Sequence, residues 1–365
     1  MTEGHVNRID SYLKTALDKR GSDLHFISGD PPRVRVHGSL TLLQDEVLTI
    51  DEVRDCMYEI MGGTTQRDFE KKDAADFAYE IPGVSRFRVN VMRHLNGIGA
   101  VFRAIPSKAL TLDELNMPEV VHNLCKQTSG MILVTGKTGS GKSTTLAAMI
   151  DAINKRLKGH ILTIEDPIEF VHKRQGCLIS QREVGVHSAS FADALHSALR
   201  EDPDVILVGE LRDLETISIA VTAAEMGILV MGTLHTNGAA QTVDRIVNSF
   251  PADKQSHIRT MLSTSLRGVI SQQLLPVKDK PGRVAALEIL INTSAVANLV
   301  RQGKLDQLET AMQSGGSVGM ITMDSALMKL VESGQISGDE AYLQANNKAK
   351  FKSVRDTVEP DPYFE

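Results

Sequence analysis

Tryptophan is absent from the 365-residue sequence, and aromatic residues account for only 4% of it. Leucine, isoleucine, valine and methionine must therefore fill the core, and a hydrophobic content of 42% allows a sizeable one. The three cysteines, Cys56, Cys125 and Cys177, form no C-x-x-C pair, so neither a disulfide framework nor a zinc knuckle is indicated. No apolar run approaches the ~20 residues of a membrane helix, and no apolar signal segment follows Met1. These absences predict a soluble, cytoplasmic protein.

Runs of positive charge are also missing. The sequence contains no stretch of five or more Lys or Arg residues, and its formal net charge is −6. A protein that binds the phosphate backbone of nucleic acid usually carries a basic stripe, so the sequence argues against nucleic acid as a partner. The eleven histidines include no H-E-x-x-H pair, and we therefore predict no zinc site.

The sequence does contain a phosphate-loop motif. Residues 136–143, Gly-Lys-Thr-Gly-Ser-Gly-Lys-Ser, match G-x-x-x-x-G-K-[ST] at every fixed position. An apolar strand-like run, 131–135, precedes the motif, and apolar residues at helical spacing follow it. Glycines let backbone N–H groups turn towards phosphates, and the helix adds its positive N-terminal end. We expect Lys142 to neutralise the β- and γ-phosphates and Ser143 to bind Mg²⁺. The flanking elements disfavour the alternative, a glycine-rich connector that binds nothing.

The pattern of elements changes to alternating strands and helices from Met131 onward. Residues 1–105 indicate a small α+β domain, and 106–118 a linker. Residues 119–292 alternate strands with helices, which predicts a doubly wound α/β core. Residues 293–347 are expected to be helical, and 348–365 to form a flexible tail. Core strands are predicted at 131–135, 161–164, 205–208, 228–234 and 284–291.

A second motif ends another predicted strand. The apolar residues 205–208 are followed by Gly209 and Glu210. In most P-loop enzymes an acid that reaches Mg²⁺ through water stands where Gly209 is, and the next acid activates the attacking water. We therefore assign Glu210 as the general base or water-orienting residue. A surface glutamate at a strand end is the alternative for this short pattern taken alone.

The acid missing at position 209 has to be replaced, because Mg²⁺ prefers oxygen ligands and water. Residues 164–169, Ile-Glu-Asp-Pro-Ile-Glu, supply three carboxylates just after another predicted strand. Glu165 or Asp166 could hold the metal-bound water, although such a cluster is also typical of a solvated loop.

Two further kinds of side chain are candidates for contact with the γ-phosphate. His235 follows a predicted core strand directly, the position of a phosphate sensor in P-loop folds, although a structural histidine fits as well. Phosphoryl transfer generally also needs an arginine. The sequence does not choose among the candidates Arg212, Arg245, Arg86, Arg88 and Arg103.

Together these motifs resemble one family, the type II/IV secretion ATPases, and within it the PilT-like pilus retraction motors. The resemblance covers nearly the whole chain. It rests on Ser22-Asp23-Leu24-His25, residues 84–90, the phosphate loop, residues 163–170, 181–185 and 199–204, the atypical segment 205–210 with Arg212-Asp213, and residues 232–245.

The resemblance implies a homohexamer whose subunits have a PAS-like N-terminal domain and a RecA-like P-loop ATPase domain. It implies hydrolysis of ATP with Mg²⁺ to power pilus retraction and twitching motility, at an inner-membrane platform protein on the cytoplasmic face of the pilus base. By the family pattern Glu210, Glu165 and His235 complete the site, and arginines of the N-terminal domain reach the phosphates. The nucleotide would contact Gly136, Lys137, Thr138, Gly139, Ser140, Gly141, Lys142, Ser143 and Thr144.

Two departures from the family pattern leave an alternative open. Lys137 stands where proline is usual, a change that the backbone tolerates. The signature A-I-R-N-L-I-R-E becomes Ala-Val-Ala-Asn-Leu-Val-Arg-Gln at 295–302, so that Ala297 and Gln302 replace charged residues in a segment linked to retraction. The chain could therefore be a divergent paralogue beside a principal motor, acting as a nucleotide-gated accessory or scaffold with weak hydrolysis. A pilus-assembly motor is disfavoured, because the four-cysteine zinc insert common in those relatives is absent.

Overall fold

The computed structural model describes residues 7–36, 38–105 and 109–356. The chain divides into two compact units, residues 1–108 and 109–365. Part of the expected linker, 106–108, and part of the expected tail, 357–365, lie outside the described residues. Each unit has its own sheet and its own hydrophobic core.

The first unit is an antiparallel six-stranded sheet with helices packed against it, which confirms the predicted α+β character. Its helices are α1 (Ile9–Asp18), α2 (Ile50–Ile60) and α3 (Gly63–Lys72). Its strands are β1 (Asp23–Ile27), β2 (Arg33–Val36), β3 (Ser39–Leu42), β4 (Ala74–Ile81), β5 (Ser85–His94) and β6 (Gly97–Ile105), in the order β3-β2-β1-β6-β5-β4.

Alternation along β5 decides which of its side chains enter the core. Phe87, Val89 and Val91 are buried, whereas Arg88 is exposed on the opposite face. Neither β3 nor α3 was predicted from the sequence. β3 has only four residues, all of them exposed, and α3 buries only Phe69, so neither element contributes an apolar face that would reveal it.

The second unit is built on a seven-stranded sheet, and all five predicted core strands are present in it. The described strands are parallel to their neighbours except for the last, which is antiparallel. They are β7 (Gly130–Thr135), β8 (His160–Glu165), β9 (Leu178–Glu183), β10 (Val205–Val208), β11 (Leu229–Leu234), β12 (Leu266–Pro276) and β13 (Arg283–Ile291), in the order β13-β12-β7-β11-β10-β8-β9.

The sequence analysis missed two strands of this sheet. β9 lies at one edge and is polar in its middle, so it lacks the apolar run of a buried strand. β12 carries Gln272 and Gln273 among apolar residues, and Gly268 near its start. A Cβ at Gly268 would lie 2.9 Å from the carbonyl oxygen of Leu290, so this glycine permits close strand packing rather than a turn.

Helices cover both faces of the sheet, which confirms the doubly wound α/β core. One face is covered by α4 (Glu119–Leu124) and α5 (Lys142–Arg156), and the other by α6 (Phe191–Ala198), α7 (Leu214–Glu225), α8 (Ala239–Asn248), α9 (Ala252–Ser265), α10 (Ser294–Gln302) and α11 (Leu308–Ser314). Side-chain caps define several helix starts. Ser190 accepts a hydrogen bond from Asp193 N, and Thr293 accepts one from Val296 N.

The C-terminal helices form a separate small core against β12 and β13. They are α12 (Met323–Glu332), α13 (Gly338–Gln344) and a 3₁₀ segment, Lys348–Val354. Phe351 has no exposed surface and packs with Leu327 and Tyr342. Residues 348–354 thus differ from the flexible tail that we expected, because one aromatic side chain anchors a segment whose other residues are mostly polar.

Candidate functional site

The phosphate loop connects the end of β7 to the start of α5, in the strand, loop and helix order that the sequence predicted. All residues of β7 are buried, so the strand holds the start of the loop in place. Gly136, Gly139 and Gly141 have φ angles of +139°, +80° and +90°, where other residues are strained. The backbone path of the loop therefore requires the glycines of the motif.

Gly136 also leaves no room for a side chain. A Cβ there would lie 2.3 Å from the carbonyl oxygen of Gln272 on the neighbouring strand, and 2.7 Å from Ser140 Oγ. At Gly139 a Cβ would meet no atom within 4 Å.

We expect Gly136→Ala to weaken nucleotide binding by at least about tenfold, ~1.4 kcal/mol, because the loop has to move away from β12. Gly139→Ala adds the same methyl group at a positive φ, and its smaller strain should weaken binding by about threefold or less. Calorimetric titration with ADP and Mg²⁺ measures both affinities. Equal losses in the two variants would show that the contact with Gln272 is unimportant.

Lys142 places a positive charge inside the loop. It is 9% exposed, and its Nζ donates hydrogen bonds to the carbonyl oxygens of Gly136 at 2.7 Å and Lys137 at 3.1 Å. Burial lowers the pKa of Lys142, and the negative charge of Glu210 acts in the opposite direction. The ammonium group would supply a counter-charge to a phosphate group bound in this loop.

Three hydroxyl groups make the loop fit a triphosphate with Mg²⁺. Ser140 is buried, and its Oγ has no hydrogen-bond partner among the described residues. A buried hydroxyl without a partner is costly, so a ligand that supplies one fits this position. Ser143 is exposed and Thr144 half-buried in the first turn of α5, where the helix end favours anions. The Ser143 hydroxyl is the group that would hold Mg²⁺.

A cavity of about 210 Å³ adjoins the tip of the loop. It is walled by residues 137–140, by residues 272–275 of β12 and by Gln344 of α13. Gln272 also accepts a hydrogen bond of 2.7 Å from Thr145 of α5. The sequence analysis missed Gln272 and Gln344. The two adjacent glutamines in an otherwise apolar segment could have drawn attention to Gln272. Nothing near Gln344 in the sequence indicated that it lies beside the loop.

Glu210 lies just beyond β10 and is held by two side chains. Arg212 Nη2 is 2.7 Å from its Oε2, and His235 Nε2 is 3.3 Å from its Oε1. Burial alone would raise the pKa of Glu210, but the hydrogen bonds and charges of Arg212 and His235 outweigh burial and lower it. The carboxylate is therefore ionised at neutral pH, as a general base must be.

Backbone contacts fix Glu210 between the neighbouring strands. Gly209 N donates to the carbonyl of Ile164 at 2.7 Å, and Leu211 N donates to the carbonyl of Thr233 at 3.0 Å. Asp213 caps the start of α7, and its carboxylate accepts a hydrogen bond of 2.8 Å from Thr216 N. Glu210 thus lies at the carboxyl ends of adjacent parallel strands, the edge at which α/β proteins bind ligands.

The packing is tight at Gly209, where the usual acid is missing from this strand. A Cβ at Gly209 would lie 3.2 Å from the Cα of Glu165, so a side chain there would require the end of β8 to shift by a few tenths of an ångström. The Glu165 carboxylate accepts hydrogen bonds from Thr163 Oγ1 at 2.6 Å, Gln181 Nε2 at 3.2 Å and Glu169 N at 3.3 Å. Burial raises the pKa of Glu165. These hydrogen bonds act in the opposite direction but do not outweigh burial. The Glu165 side chain thus belongs to the residue packed against the position of the missing acid.

Asp166 is exposed beside this group. The pKa of Arg212 is raised mainly by its hydrogen bond to Glu210, and the charge of Asp166 contributes. The structure thus gathers Lys142, Glu210, His235, Glu165 and Asp166 at one edge of the sheet, together with Arg212.

The arginines predicted in the N-terminal domain lie together on one face of the first unit. Arg86 and Arg88 are alternate residues of β5, and Arg88 lies opposite Arg103 of β6. Arg103 Nε is 2.8 Å from Asp23 Oδ1, and Arg88 Nε is 4.0 Å from Asp76 Oδ1. The three arginines form a single patch, whereas Arg245 is an exposed residue of α8 in the second unit.

Comparison with known proteins decides the family. A model of the family described as Type II/IV secretion system protein matches residues 3–316. The chain belongs to this family. The type IV pilus retraction ATPase PilT of Pseudomonas aeruginosa is 51% identical to it over 343 residues, which cover 94% of this chain and 99% of that protein. The type IV pilus ATPase PilU of the same organism is 40% identical over 338 residues, covering 93% and 88%.

A solved structure of the type II/IV secretion family agrees with the fold described above. The crystal structure of the pilus retraction motor PilT with bound ADP matches this chain with a TM-score of 0.89 and 43% identity, covering 95% of this chain and 99% of that one. The match confirms the predicted fold class, a RecA-like P-loop core with a smaller N-terminal α+β domain.

Proposed function

We propose that this chain is the ATP-hydrolysing motor of type IV pilus retraction, which disassembles pilin filaments and drives twitching motility. The observation that carries the proposal is the 51% identity to PilT over 94% of this chain and 99% of that protein. The reaction converts ATP and water to ADP and phosphate, and the chain couples it to mechanical work. The phosphate loop and the group around Glu210 supply the residues that this reaction needs.

The phosphate loop binds the nucleotide in this proposal. Backbone N–H groups of residues 136–144 and the positive end of α5 surround the phosphates, and Lys142 neutralises the β- and γ-phosphates. Ser143 would hold Mg²⁺, and Glu165 or Asp166 would contact it through a water molecule. When bound, the metal would supply positive charge to the phosphate groups.

Glu210 activates the attacking water in this proposal. Its ionised carboxylate accepts the proton of the water as the bond to phosphorus forms. His235 orients the carboxylate through the contact between Nε2 and Oε1. It also follows a core strand directly, the position of a γ-phosphate sensor in P-loop folds. Arg212 and His235 lower the pKa of Glu210, so the carboxylate is ionised in the free chain.

The arginine patch of the first unit completes the site in this proposal. Arg86, Arg88 and Arg103 reach the phosphates from a PAS-like domain of residues 1–105, joined by a linker at 106–118 to an ATPase domain at 119–292. The C-terminal helical region spans 293–347. Subunits assemble as a homohexamer, in which hydrolysis moves one domain against the next.

We place this motor at the cytoplasmic face of the inner membrane, bound to the platform protein of the pilus base. In the described part of the chain, every helix is too short or too polar to cross a bilayer. A peripheral attachment through another protein accords with that finding.

A second candidate is a paralogous accessory ATPase with weak hydrolysis, which works beside a principal motor. The altered signature in α10 favours it, because Gln302 hydrogen-bonds Asn298 at 3.2 Å on an exposed helix face where the family pattern has a charge. The 40% identity to PilU is compatible with this alternative, but the higher identity to PilT supports the motor.

Deletion of the gene tests the motor proposal. We expect surface filaments to accumulate and twitching to stop while pilus assembly continues, and the wild-type gene to restore movement. A Glu210→Gln copy produced at the same level should fail to restore it. Normal twitching in the deletion strain would contradict the motor role. Loss of twitching together with a purified protein that hardly turns over ATP would instead support the accessory subunit.

A further inference from the structure

Glu288 is a buried carboxylate to which the proposed chemistry gives no role. It lies on β13 with 7% of its surface exposed, and its two oxygens accept hydrogen bonds from different helices. Oε1 accepts from Ala239 N at 2.8 Å, and Oε2 accepts from Met323 N at 3.2 Å. Two backbone donors compensate only partly for the removal of a charge from water, so a neutral side chain would be less costly here. The carboxylate therefore needs an explanation other than core packing.

The first of these helices carries the loop of His235. α8 begins at Ala239, and the residues between His235 and Ala239 form the turn that leads into it. Glu288 lies directly opposite Ser271 in the pairing of β13 with β12. Ser271 Oγ accepts a hydrogen bond of 2.9 Å from Gly238 N, so these two side chains hold successive N–H groups at the helix start. The position of the His235 loop therefore depends on Glu288.

The second helix belongs to the C-terminal region. α12 begins at Met323, and Ile289, the residue after Glu288, exchanges two backbone hydrogen bonds with Ile321 just before it. Asp324, buried in the first turn of α12, accepts hydrogen bonds from Asn346 N at 2.8 Å and Asn347 N at 3.1 Å. Hydrogen bonds thus connect the start of α8, through Glu288 and Asp324, to the last segment of the described chain.

We propose that Glu288 is a positioning residue that couples the His235 loop to the C-terminal helices, so that the state of the nucleotide is transmitted to α12. A single rigid carboxylate with one oxygen on each helix start links their movements, because displacement of one helix pulls the acceptor away from the other. The α12–α13 region also forms one wall of the cavity beside the phosphate loop, through Gln344. This inference rests on the proposed role of His235 at the γ-phosphate.

Hydrogen exchange of the full-length protein tests the coupling. Amide exchange is measured with Mg²⁺ and either ADP or a non-hydrolysable ATP analogue, in peptides covering 236–242 and 320–327. In the wild-type protein we expect both peptides to differ between the two nucleotides. In Glu288→Gln, exchange in peptide 236–242 should still differ between the two nucleotides. Exchange in peptide 320–327 should no longer differ. Steady-state kcat should fall by about tenfold with KM within about twofold, since binding is untouched.

Glu309→Gln is the matched control. Glu309 is an exposed residue of α11 whose charge acts on Glu288, so the change removes the same charge nearby without touching either hydrogen bond. It should leave both exchange responses and kcat as in the wild type. Ser271→Ala removes only the contact with Gly238 and should keep the response of α12.

Each result decides for or against the coupling. A wild-type protein in which 236–242 responds to the nucleotide and 320–327 does not would overturn it, and this measurement needs no variant. A Glu288→Gln protein in which α12 still responds, or a Ser271→Ala protein in which it does not, would also overturn it. If 236–242 fails to respond in the wild type, the assignment of His235 to the γ-phosphate fails instead.

Discussion

Replacement of Lys142 with alanine should abolish detectable nucleotide binding. We expect the affinity for ATP to fall by at least about 100-fold, ~2.7 kcal/mol, and ATPase activity to fall to background. The reason is that Lys142 Nζ is buried inside the loop, bonded to the carbonyl oxygens of Gly136 and Lys137. Alanine leaves those carbonyl dipoles facing the phosphates without a counter-charge. Calorimetric titration with ATP and Mg²⁺ measures the loss.

Lys155→Ala is the matched control for this experiment. Lys155 lies on the same helix, and its exposed ammonium pairs with Asp151 at 2.6 Å. Surface pairs of this kind contribute about 1 kcal/mol or less, so binding should be unchanged. Binding of ATP to Lys142→Ala at wild-type affinity would show that the loop is not the nucleotide site.

Glu210→Gln should stop turnover while the protein still binds ATP. A general base contributes about 10²- to 10⁴-fold to rate, and we expect kcat to fall within that range. Glutamine keeps the shape of the side chain and a hydrogen-bond acceptor for Arg212, but it cannot take a proton from water. Steady-state phosphate release measures the rate, and equilibrium titration with ATP measures binding, which should stay within about threefold of the wild type.

The neighbouring acid Glu215 provides the comparison. It is exposed in the first turn of α7, so Glu215→Gln removes a charge close in sequence but outside the site. Its turnover should equal that of the wild type. If Glu210→Gln hydrolyses ATP at the wild-type rate, the base is another residue, and Glu165 becomes the first to test.

The parts of the site that follow one another along the chain could be predicted from the sequence. The phosphate loop can be recognised in the sequence because its glycines, lysine and serine occur within eight consecutive residues, between a strand and a helix. Glu210 and His235 were recognisable because each lies within two residues of the end of an apolar strand. Their mutual contact at 3.3 Å follows from the parallel neighbours β10 and β11.

Residues brought in by distant segments could not be predicted. Gln272 reaches the loop only because β12 lies beside β7, and β12 was not recognised as a strand. Gln344 and Glu288 carry no local motif. The position of Gln344 and the contact of Glu288 with Met323 depend on how the C-terminal helices pack against β13. The burial of Phe351 could not be predicted either, because a single aromatic residue in a polar stretch forms no periodic pattern.

The tight packing at Gly209 bears on any attempt to restore the customary acid. A Cβ there would lie 3.2 Å from the Cα of Glu165, so Gly209→Asp would require the end of β8 to move by a few tenths of an ångström. Because that strand end carries Glu165, adding an acid at position 209 and keeping Glu165 in place are not independent changes.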